Sequence, residues 1–131
     1  MSSETYQDAS GVIYEYIDGS GIATVTGYND TDISTINNIN IQSTITISNV
    51  NYNVTSIDNN AFNGYTSLTS ITIPDSVTSI GDYAFYYCYS LTSITIPDNV
   101  ARIGDYAFFF CSSLTSITIP DNVARIGDYA F

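Results

Sequence analysis

The chain has 131 residues, of which 44% are hydrophobic, with 12 tyrosines and six phenylalanines. This length and apolar content suffice for one domain with a core of its own. Thirteen acidic residues stand against two basic ones, Arg102 and Arg125, so the net charge is −11, and His is absent. Because nucleic acids and anionic membranes are bound mainly through Lys and Arg, this composition argues against both as partners.

Signals for membrane insertion, export and catalysis are missing from the sequence. No run approaches the roughly 18 apolar residues of a membrane span, and no signal peptide is visible. His and Lys, the common general bases and Schiff-base nucleophiles, are absent, and the Ser and Thr residues have no activating partner. We therefore expect no membrane insertion, no catalytic residues, no cofactor and no enzyme activity.

Two β-rich runs near the N-terminus, Val12–Ile17 and Ile22–Tyr28, flank the loop Asp18–Gly21. Strand-forming residues on either side of a short glycine-containing loop predict a β-hairpin. We expect residues 1–35, the tail and this hairpin, to form an N-terminal cap that covers the first apolar layer of a repeat stack.

The rest of the chain is periodic, and equivalent residues recur at every 23rd position. The segment Leu91–Phe108 returns unchanged as Leu114–Phe131, and Leu68–Ser90 differs from Leu91–Ser113 at six of 23 positions. Such a period indicates a solenoid, in which each unit stacks on its neighbours.

A diverged copy precedes these three units and contains nine extra residues between Ile45 and Val54. The insertion predicts a small hairpin, with Asn49 as its turn residue. Residues 36–131 are therefore expected to form four repeats, namely 36–67 with the hairpin, 68–90, 91–113 and the incomplete 114–131.

Each unit opens with alternating apolar and Thr or Ser residues, which predicts a strand with its apolar side chains in the core. Pro97 donates no backbone hydrogen bond and should end this strand. Val100 and Ile103 then continue the core as a second short strand. We expect Gly104 to supply a turn and Asp105 to cap a single helical turn.

The units Leu68–Cys88 and Leu91–Cys111 resemble the BspA-like leucine-rich repeats throughout. The pattern is Leu-x-x-Ile-x-Ile-Pro-x-x-Val-x-x-Ile-Gly-x-x-Ala-Phe-x-x-Cys, and Leu114–Phe131 matches it as far as it runs. The first unit departs from it, because Gln42 replaces the proline, Asp58 replaces the glycine and the insertion intervenes.

This resemblance implies a β-rich solenoid, a right-handed leucine-rich-repeat stack, here with the N-terminal hairpin cap. It also implies a cell-surface or secreted protein that acts in adhesion or host contact. Cytoplasmic localisation stays an alternative, since no signal peptide is visible.

The Thr and Ser residues of the opening strands form the leading candidate site. We expect them to project from one exposed, uncharged sheet face, a kind of surface that solenoids use for binding. The alternative is a solvated face that only stabilises the sheet through cross-strand Thr pairs. The residues are Thr69, Ser70, Thr72, Thr92, Ser93, Thr95, Thr115, Ser116 and Thr118.

Three other groups recur with the repeat. A second candidate patch on the turns comprises Tyr86, Tyr87, Tyr89, Phe109 and Phe110, whose exposure would suggest an interface. Two ladders of aspartates could attract Ca²⁺, but we interpret them as turn and cap residues and expect no metal site; they are Asp75, Asp98 and Asp121, and Asp82, Asp105 and Asp128. Cys88 and Cys111 are expected to be free thiols, with a disulfide as the alternative.

The sequence thus predicts a non-catalytic interaction or adhesion module that binds a protein or glycan ligand. One alternative is a self-assembling structural protein that associates edge to edge through its last, uncharged strand, Leu114–Ile119. An intracellular scaffold is another. Ice binding through the Thr rows is a distant third, because the spacing of the rows is irregular.

Overall fold

In a computed structural model, which describes residues 3–29 and 33–131, the fold is built from short β-strands connected by turns. The strands are β1 Ser3–Gln7, β2 Val12–Ile17, β3 Ile22–Tyr28, β4 Asn38–Asn40, β5 Thr44–Ile47, β6 Val50–Ile57, β7 Ser70–Thr72, β8 Ser79–Ile80, β9 Arg102–Ile103 and β10 Arg125–Ile126. The helical structure of the described chain is one 3₁₀ turn, Ile33–Thr35. This β-rich composition agrees with the predicted fold class.

The N-terminal strands form an antiparallel meander in the order β1-β2-β3. β2 and β3 are the two runs that the sequence predicts as a hairpin, whereas β1 lies in the segment predicted to be a tail. β3 then pairs in parallel with β6, with Val25 opposite Ile57. The meander therefore joins the edge of the repeat sheet. The boundary at residue 35 stays a prediction.

The nine-residue insertion forms the hairpin of β5 and β6, with Ile45 opposite Tyr52. Ser48 and Asn49 occupy the two-residue turn with φ values of 51° and 66°. Left-handed backbone at both turn positions matches the right-handed twist of the flanking strands, and Asn tolerates it well. Both the hairpin and the role of Asn49 are confirmed.

The return strands of the repeats form the continuous part of the stack, in the parallel order β6-β8-β9-β10. Their register aligns Ile57 with Ile80, Ile80 with Ile103, and Ile103 with Ile126. The partners in each pair are equivalent positions of successive repeats, so one chain period advances the fold by one coil. The predicted solenoid is confirmed by this ladder.

The opening strands are less regular than predicted. β4 and β7 pair in parallel, with Ile39 opposite Ile71, and a single bridge joins Ser70 to Ser93. Within the described chain, the last two copies, 91–96 and 114–119, contain no strand of their own. The expectation of a strand in every unit was therefore wrong.

The predicted helical turn after Asp105 is also absent. Tyr106 has left-handed backbone, with φ at 57°, which an α-helical turn cannot contain. The segment instead hydrogen-bonds to the adjacent coil. The Tyr83 N–H donates to the Asp105 carbonyl at 2.9 Å, and the Phe85 N–H donates to the Ala107 carbonyl at 2.8 Å. Pairing between coils therefore prevails over local helix formation.

A column of phenylalanine rings runs along the core, with one ring from each coil. Phe62, Phe85, Phe108 and Phe131 stack with centroid separations of 5.5, 5.1 and 5.4 Å. The first three rings are buried. Because each ring packs against the equivalent ring above and below, the coils share one interior that none of them can form alone.

Gly81, Gly104 and Gly127 set the distance between the coils on the return side. A Cβ built at Gly104 would lie 2.5 Å from the Asp82 nitrogen, and one at Gly127 would lie 2.4 Å from the Asp105 nitrogen. Contacts this short are closer than packed atoms tolerate. Gly104 has no positive φ, so its expected role as a turn residue was wrong. It is there because the neighbouring backbone leaves no room for a side chain.

We predict that Gly104→Ala lowers the free energy of unfolding by about 3 kcal/mol, because the methyl group forces adjacent coils apart. Gly64→Ala serves as the comparison. Gly64 has a φ of 82° but nothing within 4 Å of its missing Cβ, so it should lose only about 1 kcal/mol through backbone strain. Urea unfolding of both variants measures the difference, and equal losses would contradict the spacing role.

The cap is fastened to the first repeat through a buried tyrosine. The Tyr14 hydroxyl donates to Asp8 Oδ2 at 2.8 Å and accepts from the Gln42 N–H at 3.0 Å. Asp8 is itself buried, and its Oδ1 accepts the backbone N–H groups of Ser10, Gly11 and Val12 at 3.0 Å. Burial, together with the adjacent Asp8 carboxylate, raises the pKa of Tyr14 well above its ordinary value.

Tyr14→Phe should destabilise the fold by about 1–3 kcal/mol, because it leaves buried hydrogen-bonding groups without a partner. A raised folded-state pKa stabilises the protein below the unfolded value, near pH 10, and this stabilisation is lost as the pH rises further. Wild type should therefore lose more stability than Tyr14→Phe between pH 8 and pH 11. Urea midpoints at the two pH values test this, and parallel losses would exclude Tyr14 as the cause.

Candidate functional site

The predicted Ser/Thr face lies on the side of the stack opposite the return strands. Eight of its nine residues are exposed, and Ser70 is half-buried. The face is most regular at its N-terminal end, where the Ser70 hydroxyl donates to Asn38 Oδ1 at 2.8 Å. The Thr69 hydroxyl donates to the Asn37 carbonyl at 2.9 Å, and that of Thr92 to the Thr69 carbonyl at 3.3 Å. These hydrogen bonds orient the first rows from one coil to the next.

Two grooves open in this face between successive coils. The first has a volume of about 380 Å³ and is lined by residues 70–73 and 93–95. The second, about 350 Å³, lies between the third and fourth coils, and Ile94 and Ile117 both line it. Ile71 is buried, whereas Ile94 and Ile117 are half-buried. The three isoleucines therefore lie on successive coils, as predicted, but the opening between the coils leaves two of them partly accessible.

The chemistry of the face follows from these side chains. Hydroxyl groups, which donate and accept hydrogen bonds, stand in rows beside apolar groove floors. The nearby carboxylate is Asp98, at the rim of the second groove. Rows of short, uncharged polar groups can contact an extended ligand at several points. No residue pattern signals the grooves in advance, because they arise from missing strand pairing rather than from residue type.

The aromatic residues of the turns form a second surface, the aromatic ridge. Tyr83, Tyr106 and Tyr129 stack at 4.9 and 5.1 Å, and Tyr87 stacks on Phe110 at 4.7 Å. Neighbouring rows meet edge to face. The predicted patch of Tyr86, Tyr87, Tyr89, Phe109 and Phe110 is part of this ridge. Within the patch, Tyr89 and Phe110 are exposed and the other three residues are half-buried. Most ring faces are thus occupied by other rings.

The ridge is built on unfavourable backbone. Tyr83, Tyr87 and Phe110 have φ values of 58°, 60° and 61°. The first repeat places Asn60 and Gly64 at the positions of Tyr83 and Tyr87, and these residue types adopt left-handed backbone more readily. Stacking offsets part of the cost in the later coils, at about 0.5–1.5 kcal/mol for each ring pair.

Comparison with known proteins places the fold in a family. The model of the BspA-type leucine-rich-repeat region matches residues 32–131, with six copies. The chain belongs to the BspA-type leucine-rich-repeat family. The 23-residue period divides nearly the same residues, 36–131, into four units. No match was found among curated protein sequences.

Solved leucine-rich-repeat proteins share this architecture. A leucine-rich cell surface protein from Faecalibacterium prausnitzii is 40% identical, with a TM-score of 0.80 over 100% of this chain and 34% of that one. A leucine-rich-repeat protein from Bacteroides ovatus is 33% identical, with a TM-score of 0.82 over 92% of this chain and 31% of that one. One from Bacteroides capillosus is 36% identical, with a TM-score of 0.80 over 93% and 86%. The chain thus spans about a third of the first two structures.

The aspartates after the BspA-type glycines have a structural role. Asp82 Oδ1 accepts the Asp105 N–H, and Asp105 Oδ1 accepts the Asp128 N–H, both at 2.8 Å. Asn59 does the same for Asp82, so an amide oxygen is sufficient. Asp82 Oδ1 also lies 3.7 Å from Arg102 Nη2, within ion-pair distance.

The second ladder, Asp75, Asp98 and Asp121, is exposed. Asn99 and Asn122 donate side-chain hydrogen bonds to the Asp75 and Asp98 carbonyls at 3.0 Å. No group of three or more candidate metal ligands occurs in residues 3–29 and 33–131. Across the same residues, no helix is long and apolar enough to cross a membrane.

Asp105→Asn should leave the free energy of unfolding within about 0.5 kcal/mol of wild type, because its amide oxygen still accepts the Asp128 N–H. Asp105→Ala removes the acceptor and should cost about 1–2 kcal/mol. Thermal and urea unfolding compare the two variants. If Asn proved as harmful as Ala, the charge would be essential, and the hydrogen-bonding role of the ladder would be wrong.

Proposed function

We propose that this BspA-type stack is a non-catalytic binding module of a cell-surface or secreted protein, and that it holds a protein or glycan ligand on its Ser/Thr face. The observation that carries the proposal is the repetition of exposed hydroxyl groups at the same position on successive coils, beside two grooves. A ligand can contact several coils through the same chemistry, so that weak individual hydrogen bonds add up.

Two further observations support this assignment. Regular repeats present a wide surface, and solenoids bind macromolecules on such surfaces. The relative from F. prausnitzii carries the description of a cell surface protein. Because the chain spans only 34% of that relative, the surface location of the present chain belongs to the proposal.

Self-assembly is the main alternative. β10 lies at the edge of the return sheet, and its Ile126 is 45% exposed. An open strand edge with an exposed apolar residue can pair with a second chain. The net charge of −11 opposes the association of identical chains, particularly at low salt. We therefore place self-assembly second.

The test places one bulky, uncharged side chain on each of three coils of the face, with the variant Thr72→Gln, Thr95→Gln and Thr118→Gln. The matched control carries Thr78→Gln, Ala101→Gln and Ala124→Gln, which are exposed at one register on the return side of the same coils. Neither variant changes the net charge.

Both variants and wild type are applied to arrays of extracellular-matrix proteins and of glycans, and bound ligands are titrated. We expect the face variant to lose at least tenfold in affinity, whereas the control retains wild-type affinity. Equal loss in both variants, or no ligand for wild type on either array, would refute the proposed face. Light scattering over a concentration series tests the alternative, since concentration-dependent growth would favour self-assembly.

A further inference from the structure

The two cysteines occupy equivalent positions in adjacent coils of the core. They are separated by one repeat period, and the rings on either side of them are in register. Phe85 stacks on Phe108 at 5.1 Å with an interplanar angle of 6°, and Tyr87 stacks on Phe110 at 4.7 Å and 3°. Paired backbones lie about 4.8 Å apart, which is within the Cα separation that a disulfide spans.

The two thiols also have equivalent surroundings. Each donates a hydrogen bond to the carbonyl of a phenylalanine in the preceding coil, Cys88 to Phe62 and Cys111 to Phe85. Both cysteines are free; Cys88 is buried and Cys111 is half-buried. Inert packing would account for burial, but two free thiols at equivalent positions of adjacent coils are also positioned to react with each other.

We propose that Cys88 and Cys111 are a modification site, at which a two-electron thiol oxidant of the small-disulfide class converts the pair into a disulfide that joins the second and third repeats. This goes beyond the binding role and does not depend on it. The site is formed by two coils of the stack and needs no partner chain.

The reaction proceeds in two exchanges. The Cys111 thiolate attacks one sulfur of the small disulfide, forms a mixed disulfide and releases one small thiolate. Cys88 then loses its proton and attacks Cys111 Sγ, which forms the Cys88–Cys111 bond and expels the second small thiolate. Two electrons pass to the oxidant, and two protons leave the protein and end on the released thiols.

The order of attack follows from the surroundings of the two thiols. The neighbouring Cys88 lowers the pKa of Cys111, and Cys111 is also the more exposed of the two thiols, so it reacts first as the thiolate. The neighbouring Cys111, together with burial, raises the pKa of Cys88. Cys88 is thus poor at attacking an external oxidant and acts as the resolving thiol.

The fold can accept this disulfide without leaving buried polar groups unsatisfied. In the reduced protein, the Cys88 thiol donates to the Phe62 carbonyl at 3.3 Å, and the Cys111 thiol donates to the Phe85 carbonyl at 3.2 Å. Oxidation removes both donors. Each carbonyl still accepts a backbone N–H, that of Tyr65 for Phe62 and that of Cys88 for Phe85, both at 3.3 Å. Neither carbonyl is left without a hydrogen bond.

The chain suits a direct test, because its only two basic residues, Arg102 and Arg125, are its only trypsin sites. Arg102 lies between the cysteines. The full chain is incubated with oxidised glutathione and then alkylated, denatured and digested. We expect peptides 1–102 and 103–125 to run as one linked species in mass spectrometry and to separate after reduction. Cys88→Ala and Cys111→Ser, as single variants, should give no linked species from a monomer.

Thermal unfolding provides the second readout. The bond closes a loop between two coils, so the oxidised monomer should melt about 5–10 °C above the reduced one, and a reducing agent should reverse the shift. Persistence of two free thiols in folded wild type after prolonged incubation would overturn the proposal. So would a link found only between chains on a non-reducing gel.

Discussion

The close approach of adjacent backbones at Gly81, Gly104 and Gly127 is the constraint on which the rest of the structure depends. Without side chains at these positions, the aspartate that precedes each contact can accept the next coil's N–H at 2.8 Å. The isoleucine ladder and the phenylalanine column then follow at the spacing of paired strands. The hydroxyl rows, the aromatic ridge and the paired thiols recur from coil to coil because this contact between adjacent backbones recurs.

The sequence was a good guide to features that depend on periodicity. Exact copies at a constant spacing require equivalent surroundings, so the stack, the core positions and the hairpin insertion could be predicted from residue patterns alone. Features that depend on how closely coils approach were not predictable. Alternation in Leu91–Ile96 is compatible with a strand, but a strand also requires hydrogen-bonded pairing with a neighbouring coil, which alternation does not specify. The helical turn was missed for a similar reason, because bonds between coils replaced those within the turn.

The same distinction between predictable and unpredictable features applies to the candidate site. The identity and exposure of the hydroxyl rows followed from strand alternation, whereas the grooves between the coils did not. The left-handed backbone of the aromatic ridge has one indication in the sequence. Asn60 and Gly64 in the first repeat are residue types that tolerate left-handed backbone, and the alignment places Tyr83 and Tyr87 at the same points. The residue types of the diverged copy therefore indicate the backbone conformation of the later copies, and not only their hydrophobic positions.

The identical third and fourth units have a consequence for valency. Each coil added to such a stack presents another copy of the same ligand-contacting groups, at the fixed spacing between adjacent coils. A ligand with a periodic structure of its own could bind several coils at once. The effective concentration for each later contact would then be set by the rigid spacing of the coils. Avidity would then depend on the number of coils, and lengthening the array would tighten binding without any change in the individual contact.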